Sequence, residues 1–195
     1  MVGYENYWYQ EGTIVAKNTS YAHSLIPDLN AGNSDGVTAN SKNINELARR
    51  SYFGRLMYNY KSKYYVQGNI RRDGSSRFAP GHQWGNFWSV GAAWILSKEN
   101  FLANAKWIDM LKLKASIGQQ GNDLIGDYYY TDLYSLSKVD EKSMSASFAI
   151  QGNPDITWET TTNLNVGVEF SFWRGRLSGG IDVYRKKTTD LLFWL

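Results

Sequence analysis

The stretch Trp158-Glu159-Thr160-Thr161-Thr162-Asn163-Leu164-Asn165-Val166-Gly167-Val168-Glu169-Phe170-Ser171-Phe172 alternates without a break. One set of positions reads Trp158, Thr160, Thr162, Leu164, Val166, Val168, Phe170, Phe172, and the other Glu159, Thr161, Asn163, Asn165, Gly167, Glu169, Ser171. A period of two held over this length marks a strand with one apolar and one polar face. Soluble strands usually stop at about 5–6 residues. From Trp158 to Phe170 the chain covers roughly 40 Å at ~3.3 Å per residue, which at ~45° of tilt rises about 28 Å. The expectation is a membrane-crossing strand with these two aromatics at the edges of a bilayer's apolar belt.

The same design recurs outward from this stretch. Tyr64, Val66, Gly68 and Ile70 oppose Tyr65, Gln67, Asn69 and Arg71; Leu111, Leu113, Ala115 and Ile117 oppose Lys112, Lys114, Ser116 and Gly118. Trp88, Val90, Ala92, Trp94 and Leu96 make another apolar face, as do Tyr52, Gly54, Leu56, Tyr58 and Tyr60 between about Ala48 and Tyr60, and Leu177, Gly179, Ile181 and Val183 after Arg176. Six strands follow, joined by links of alternating length. Lys61-Ser62-Lys63 and Trp173-Arg174-Gly175 are tight turns, whereas Asp73 to Asn86 and Gln119 to Thr157 are long. Outer-membrane barrels keep short turns on the periplasmic side and long loops outside. The link Ser97 to Met110 falls on the short side, and Ser97, Glu99, Phe101, Leu102 and Ala105 predict a short capped helix within it. Glu5 to Leu47, rich in Asn, Ser and Gly, reads as a third long loop after a strand end at Met1 to Tyr4.

Composition agrees with a barrel wall. Aromatics are 15% of the 195 residues, yet the mean hydropathy is -0.47, as when lipid-facing and lumen-facing residues alternate and Trp and Tyr gather at the interfaces. No run approaches the ~18 apolar residues of a spanning helix. Met1-Val2-Gly3-Tyr4-Glu5 has neither a basic segment nor an apolar run, so a signal is expected to lie elsewhere in an exported protein. Zero cysteines exclude disulfides and thiolate chemistry, and a net charge of +3 without a basic block gives no reason to expect nucleic acid. Six strands cannot close a barrel whose smallest single-chain forms have eight, so the chain reads as part of a larger wall.

Several ordered motifs resemble one family. Arg71-Arg72-Asp73-Gly74-Ser75-Ser76-Arg77-Phe78, Trp84-Gly85-Asn86-Phe87-Trp88-Ser89-Val90 and Trp94-Ile95-Leu96-Ser97-Lys98-Glu99 are similar to the barrel signature of SusC/RagA-type TonB-dependent transporters. So are Leu111 to Asn122, ending in Gly118, Gly121 and Asn122, then Asn153-Pro154-Asp155-Ile156-Thr157-Trp158-Glu159, then Asp182-Val183-Tyr184-Arg185 with Thr189-Asp190-Leu191-Leu192. Ile117 and Ile95 depart from the pattern. The resemblance implies an all-β, antiparallel, up-and-down transmembrane β-barrel, here partial, with about six to seven strands of a larger plugged barrel. Residues 1–195 would be one partial barrel domain, with 1–47 a strand end and long outer loop and 48–195 six strands with loops. It further implies import of oligosaccharides or peptides across the outer membrane, energised through TonB and capped by a SusD-like lipoprotein, with no enzymatic activity and no cofactor.

Site residues follow from placement and chemistry. Asp73-Gly74-Ser75-Ser76 could bind an anion or a sugar, but Asp, Gly and Ser are also what a strand exit needs, through left-handed tolerance and local side-chain bonds. The expected role of Arg72, Asp73, Gly74, Ser75, Ser76, Arg77, Phe78, Gly118, Gly121, Asn122, Asn153, Pro154, Trp158 and Glu159 is structural, and Arg71 and Arg77 should pair with carboxylates. Trp84, Tyr128, Tyr129 and Tyr130 fall in predicted outer loops and are the candidates for stacking on a sugar, against a packing or girdle role. His23 and His82 lack partners at ligand spacing, so no metal site is expected. Gly118-Gln119-Gln120-Gly121 lacks the Gly-Lys-Ser/Thr ending of a phosphate loop, and no carboxylate pair or Ser–base pair can be argued. Two competing readings are a secreted carbohydrate-binding β-sandwich, which would bury the apolar faces in its own core, and a truncated fragment without activity. Asn18-Thr19-Ser20 fits a glycosylation pattern, taken as accidental.

Overall fold

A computed structural model describes residues 1–18, 28–29, 37–139 and 142–192. The strands are β1 (Val2–Asn18), β2 (Val37–Tyr60), β3 (Tyr64–Ser75), β4 (Trp84–Ile95), β5 (Ile108–Asn122), β6 (Leu133–Lys138), β7 (Met144–Ile150), β8 (Glu159–Phe172) and β9 (Leu177–Thr189). Seven of them form one sheet in the order β1-β2-β3-β4-β5-β8-β9, and β6 and β7 pair with each other. The pairings from β2 to β9 are antiparallel. By contact the chain divides into two units, Met1–Asn6 with Arg49–Leu195, and Tyr7–Ala48. In the smaller unit Gln10 Nε2 donates to Glu46 Oε1 at 3.3 Å.

Both predicted tight turns are present. Lys61 and Ser62 take φ of 51° each, and the Lys63 amide donates to the Tyr60 carbonyl at 3.0 Å. Two left-handed residues in succession match the right-handed twist of the flanking strands. Trp173, Arg174 and Gly175 likewise have φ of 53°, 59° and 79°. The link expected to hold a capped helix instead holds two 3-10 turns, Leu96–Lys98 and Asn100–Leu102, with no side-chain cap. Glu99 is engaged elsewhere: its carboxylate accepts from Tyr64 Oη at 2.7 Å, Trp94 Nε1 at 3.1 Å and Lys63 Nζ at 3.1 Å.

Three expectations need correction. Residues 6–18 and 37–47 are not irregular loop: β1 runs to Asn18 and β2 begins at Val37, before the expected start near Ala48, while residues 19–27 and 30–36 of the expected loop lie outside the described residues. Asn, Ser and Gly content suggested loop, but backbone pairing of two adjacent strands does not need apolar alternation. The link Gln119 to Thr157 contains the rest of β5 and the β6–β7 hairpin. Trp158 is not at a belt edge: it precedes β8, is only 8% exposed and packs against Phe78 and Phe87.

Register assigns the faces, since residues directly opposite share a side. Tyr58, Val66 and Ala92 align across β2, β3 and β4; Val90 and Ile117 across β4 and β5; Leu164 across from Ile117; Val166 across from Val183. This face is apolar and exposed, with Leu56, Ile70, Ile181 and Val183 each at least 66% accessible. No second sheet covers it among the described residues, so the sandwich reading fails. The opposite face is polar and internally paired. Lys114 Nζ reaches Glu169 Oε1 at 2.9 Å and Asp182 Oδ1 at 3.0 Å, and Lys112 Nζ reaches Glu169 Oε2 at 3.1 Å. Arg71 meets Asp73 at 2.6 Å and Glu5 at 3.1 Å. A sheet with one exposed apolar face and one charge-paired face is the wall of a lipid-immersed barrel with a polar lumen.

Candidate functional site

The sheet is not uniformly laddered. β4 pairs β5 only from Ile95↔Lys112 to Ser89↔Gly118, whereas β3–β4 pairing continues to Gly74↔Trp84 and β5–β8 pairing to Asn122↔Glu159. Above Ser89 and Gly118 the wall therefore forks, and β4 from Trp84 to Trp88 parts from β5 from Gln119 to Asn122. Gly118 sits at the crotch: a Cβ there would lie 3.2 Å from the Trp88 carbonyl oxygen and from Ser89 Cα. Strand edges left open at such a fork need other partners.

Side chains fill the fork. The Phe87 ring lies against Gly85 and Gly121, where any Cβ would collide with it. Trp158 meets Phe87 edge-on at 5.5 Å between centroids and Phe78 at 5.3 Å, while its Nε1 donates to the Gln83 carbonyl at 3.0 Å. Phe78 is fully buried, and Ile125 and Ile156 pack on this aromatic cluster. Beside it lies a polar hub. Arg49 donates to both oxygens of Asp123, Nη2 to Oδ1 at 2.7 Å and Nε to Oδ2 at 2.8 Å, and Ser75 Oγ donates to Oδ2 at 2.8 Å. Arg77 donates through Nη1 to the Asp123 carbonyl at 3.1 Å and through Nε to Asp127 Oδ1 at 2.9 Å. β2, β3 and the loop after β3 are thus tied to the loop after β5, across the fork. A bidentate guanidinium–carboxylate pair of this kind is short, directional and stronger than a neutral hydrogen bond.

The motif residues fall in different places. Ser75, Arg77, Phe78 and Trp158 belong to the hub and cluster just described. Asp73 accepts from Arg71 on the polar face. Arg72 stands on the apolar face with its guanidinium 5.2 Å from the Trp84 ring centroid, and Gly74 leaves room for that ring, 3.0 Å from where a Cβ would be. Ser76 lies in the turn after β3 and is half-buried. Asn122 Nδ2 donates to Glu159 Oε1 at 3.3 Å, and Glu159 Oε2 accepts from the Leu192 amide at 3.2 Å. Asn153 Oδ1 accepts from the Asp155 amide at 3.0 Å across Pro154, and the Asn153 amide donates to the Tyr129 carbonyl at 3.0 Å. That Asn-Pro turn fastens the chain before β8 to the loop after β5.

The four stacking candidates separate. Trp84 opens β4 on the apolar face, stacked on Tyr52 at 6.1 Å. Tyr128, with φ of 66°, turns the chain, and Tyr129 packs over Gly126. Tyr129 also lines a cavity of about 990 Å³ with Leu124, Ile125, Ile150, Gln151 and Asn153, and Tyr130 lies half-buried beside it in sequence. A second, smaller cleft of about 410 Å³ lies at the fork, lined by Asn69, Arg71, Asp73, Phe87, Ser89 and Gln120 among others. His82 Nε2 is 4.0 Å from Asp155 Oδ1, both solvent-exposed; His23, Thr19 and Ser20 lie outside the described residues. The sequence alone did not single out Arg49, Asp123 or Asp127, and offered Phe87 only as part of the Trp84 to Val90 motif. Asp123 directly follows the Gly121-Asn122 motif, which is the one signal that could have drawn attention to it.

Comparison with known proteins matches this geometry. The family model described as TonB dependent receptor-like, beta-barrel, aligns with residues 3–195. TonB-dependent receptor P39 of Formosa agariphila is 34% identical over 190 residues, 97% of this chain and 18% of that protein. TonB-dependent receptor SusC of Bacteroides thetaiotaomicron is 39% identical over 149 residues, 73% of this chain and 15% of that protein. The structure of the RagAB peptide transporter superposes with a TM-score of 0.88 at 29% identity, covering 98% of this chain and 21% of that one. The chain thus spans about a fifth or less of the length of these relatives.

Proposed function

The chain belongs to the TonB-dependent receptor β-barrel family, and from that premise we propose that it is a section of the barrel wall of a SusC/RagA-type importer in the outer membrane. The observation that carries the reading is the pair of faces: an exposed apolar face toward lipid and a face of matched charges, Lys112, Lys114, Glu169 and Asp182, toward an aqueous lumen. A lumen whose charges neutralise one another suits passage of large polar solutes rather than capture of a single ion. The cargo is an oligosaccharide or a peptide, taken in through the complete barrel with a SusD-like lipoprotein outside and TonB inside. Likeness to the RagAB peptide transporter favours peptide as a specific second choice. In this reading the Arg72 to Phe78 motif holds the outer loops in place, and Tyr129, beside the 990 Å³ cavity, is the stacking residue nearest to cargo.

In-frame deletion of the chain from its parent gene, followed by uptake of labelled oligosaccharides and labelled oligopeptides, tests this. Loss of uptake of one class with the other intact names the cargo. Unchanged uptake of both would overturn the proposal.

A further inference from the structure

Among the described strand residues from Arg50 to Thr189 to which the register gives a face, the apolar face carries four cations and no carboxylate, and all four lie toward one rim; Asp109 lies in the β5 bulge, where its Oδ2 accepts from the Gly175 amide at 2.9 Å. Arg50 lies opposite Gly74, Arg72 opposite Tyr52, Arg185 opposite Leu164 and Lys187 opposite Thr162, so each shares the side of Leu56, Val166 and Ile181. All four are exposed. On the polar face Arg71, Lys112 and Lys114 each hold a carboxylate, but Arg50, Arg72, Arg185 and Lys187 have no carboxylate partner among the described residues. Arg72 rests on the Trp84 ring.

Their height is common. Arg72 and Arg185 stand eight residues from Tyr64 and Leu177, which flank the tight turns, and Arg50 and Lys187 stand ten from Tyr60 and Leu177. Eight to ten residues at ~3.3 Å and ~45° of tilt rise about 19–23 Å, close to the ~25 Å apolar band. The opposite edge has Tyr60, Tyr64, Trp94, Phe172 and Trp173, and among the described strand residues with a paired partner no charge there shares the apolar side. The cations therefore sit at the headgroup level on the long-loop side, where long basic side chains extend along apolar surface to reach anions.

We propose that these residues form a binding surface for the phosphorylated headgroup of an outer-leaflet lipid, in two cation pairs, Arg50 with Arg72 and Arg185 with Lys187. The pairs stand on the two sides of the fork, with β4, β5 and β8 between β3 and β9 in the sheet order, so a lipid phosphate on each fixes both halves of the forked rim against the leaflet. The surface is separate from cargo passage and rests only on the orientation of the wall.

The test uses the intact receptor carrying this chain, purified in mild detergent, with a phosphorylated glucosamine-disaccharide lipid and its dephosphorylated counterpart, and counts retained lipids by native mass spectrometry. Each cation near an anionic leaflet contributes roughly a five-fold preference. The triple variant Arg50→Gln, Arg185→Gln, Lys187→Gln is expected to retain at least ~10-fold less phosphorylated lipid, with the dephosphorylated lipid weak on both proteins. The pair variant Arg185→Gln, Lys187→Gln alone should lose one of two retained lipids, and the lysine-preserving Arg50→Lys, Arg185→Lys form should retain both. Equal retention by the glutamine variants, or equal retention of the dephosphorylated lipid, overturns the proposal. Complete competition by excess inorganic phosphate also overturns it, by assigning the site to free phosphate.

Discussion

The two ends of the β4–β5 junction hold the same two strands by different means. On the turn side, from Ile95↔Lys112 to Ser89↔Gly118, a backbone ladder does it and almost any alternating sequence will serve. On the loop side the ladder stops, and the strands are held by Phe78, Phe87 and Trp158 together with the Arg49–Asp123–Arg77 hub. Backbone pairing is indifferent to side-chain identity, whereas wedges and hubs are not. The concentration of distinctive motifs at the outer rim follows from this difference.

The sharpest way to break the contrast is Phe78→Ala. Phe78 is fully buried between the loops, and removing a buried Phe typically costs about 3–5 kcal/mol. The expected loss is local: hydrogen exchange at the amides of Ile125 to Tyr130 rises by orders of magnitude, while the amides of Ala92 and Ala115 on the turn side keep their protection. Equal deprotection at both ends would show that the fork is not an independent unit.

Asp123→Ala has the next largest effect. It removes two charge-assisted bonds from Arg49 and one from Ser75; with Arg49 partly exposed, the cost is about 2 kcal/mol. Arg77 would keep its bonds to the 123 carbonyl and to Asp127, so the loop loosens without detaching. Protease cleavage between Leu124 and Tyr130 should accelerate, and Asn at the same position should recover part of the difference.

How much of this was legible depended on which of the two mechanisms held a region. The alternation of Leu111 to Gly118 and Asn163 to Phe172, and the tight turns at Lys61 and Arg174, report backbone ladders and were readable residue by residue. The hub was not, because Arg49 and Asp123 are 74 residues apart and meet only once three strands have folded between them. Trp158 misled for a related reason. Its alternation continues that of β8, but its indole nitrogen finds the Gln83 carbonyl and turns the ring inward. Periodicity carries no information about where a strand stops and a loop core begins. The Asn- and Ser-rich run before Leu47 failed in the opposite sense, since β1 continues to Asn18 without an apolar face to announce it.

The smallest expected effect concerns the turn side, where the ladder should make side chains nearly dispensable. Glu99, in the link after β4, accepts from Tyr64, Trp94 and Lys63. The Tyr64 hydroxyl above all, then the Trp94 indole and the Lys63 ammonium, hold its carboxyl below the ordinary value of 4.5. A carboxylate depressed in the folded state stabilises fully above its unfolded pKa, and that contribution is lost as pH falls through the folded value. Thermal unfolding of the intact barrel should therefore show a slight decline below about pH 4.5 that Glu99→Gln abolishes, with Glu99→Gln close to the wild type at acid pH and slightly less stable at neutral pH. Because Ile95 still donates its amide to the Lys63 carbonyl at 2.8 Å, the turn should keep its hydrogen-exchange protection in both proteins. A Glu99→Gln loss at neutral pH as large as that of Asp123→Ala would mean that the ladder does not carry the turn side, and the distinction between the two ends would fall.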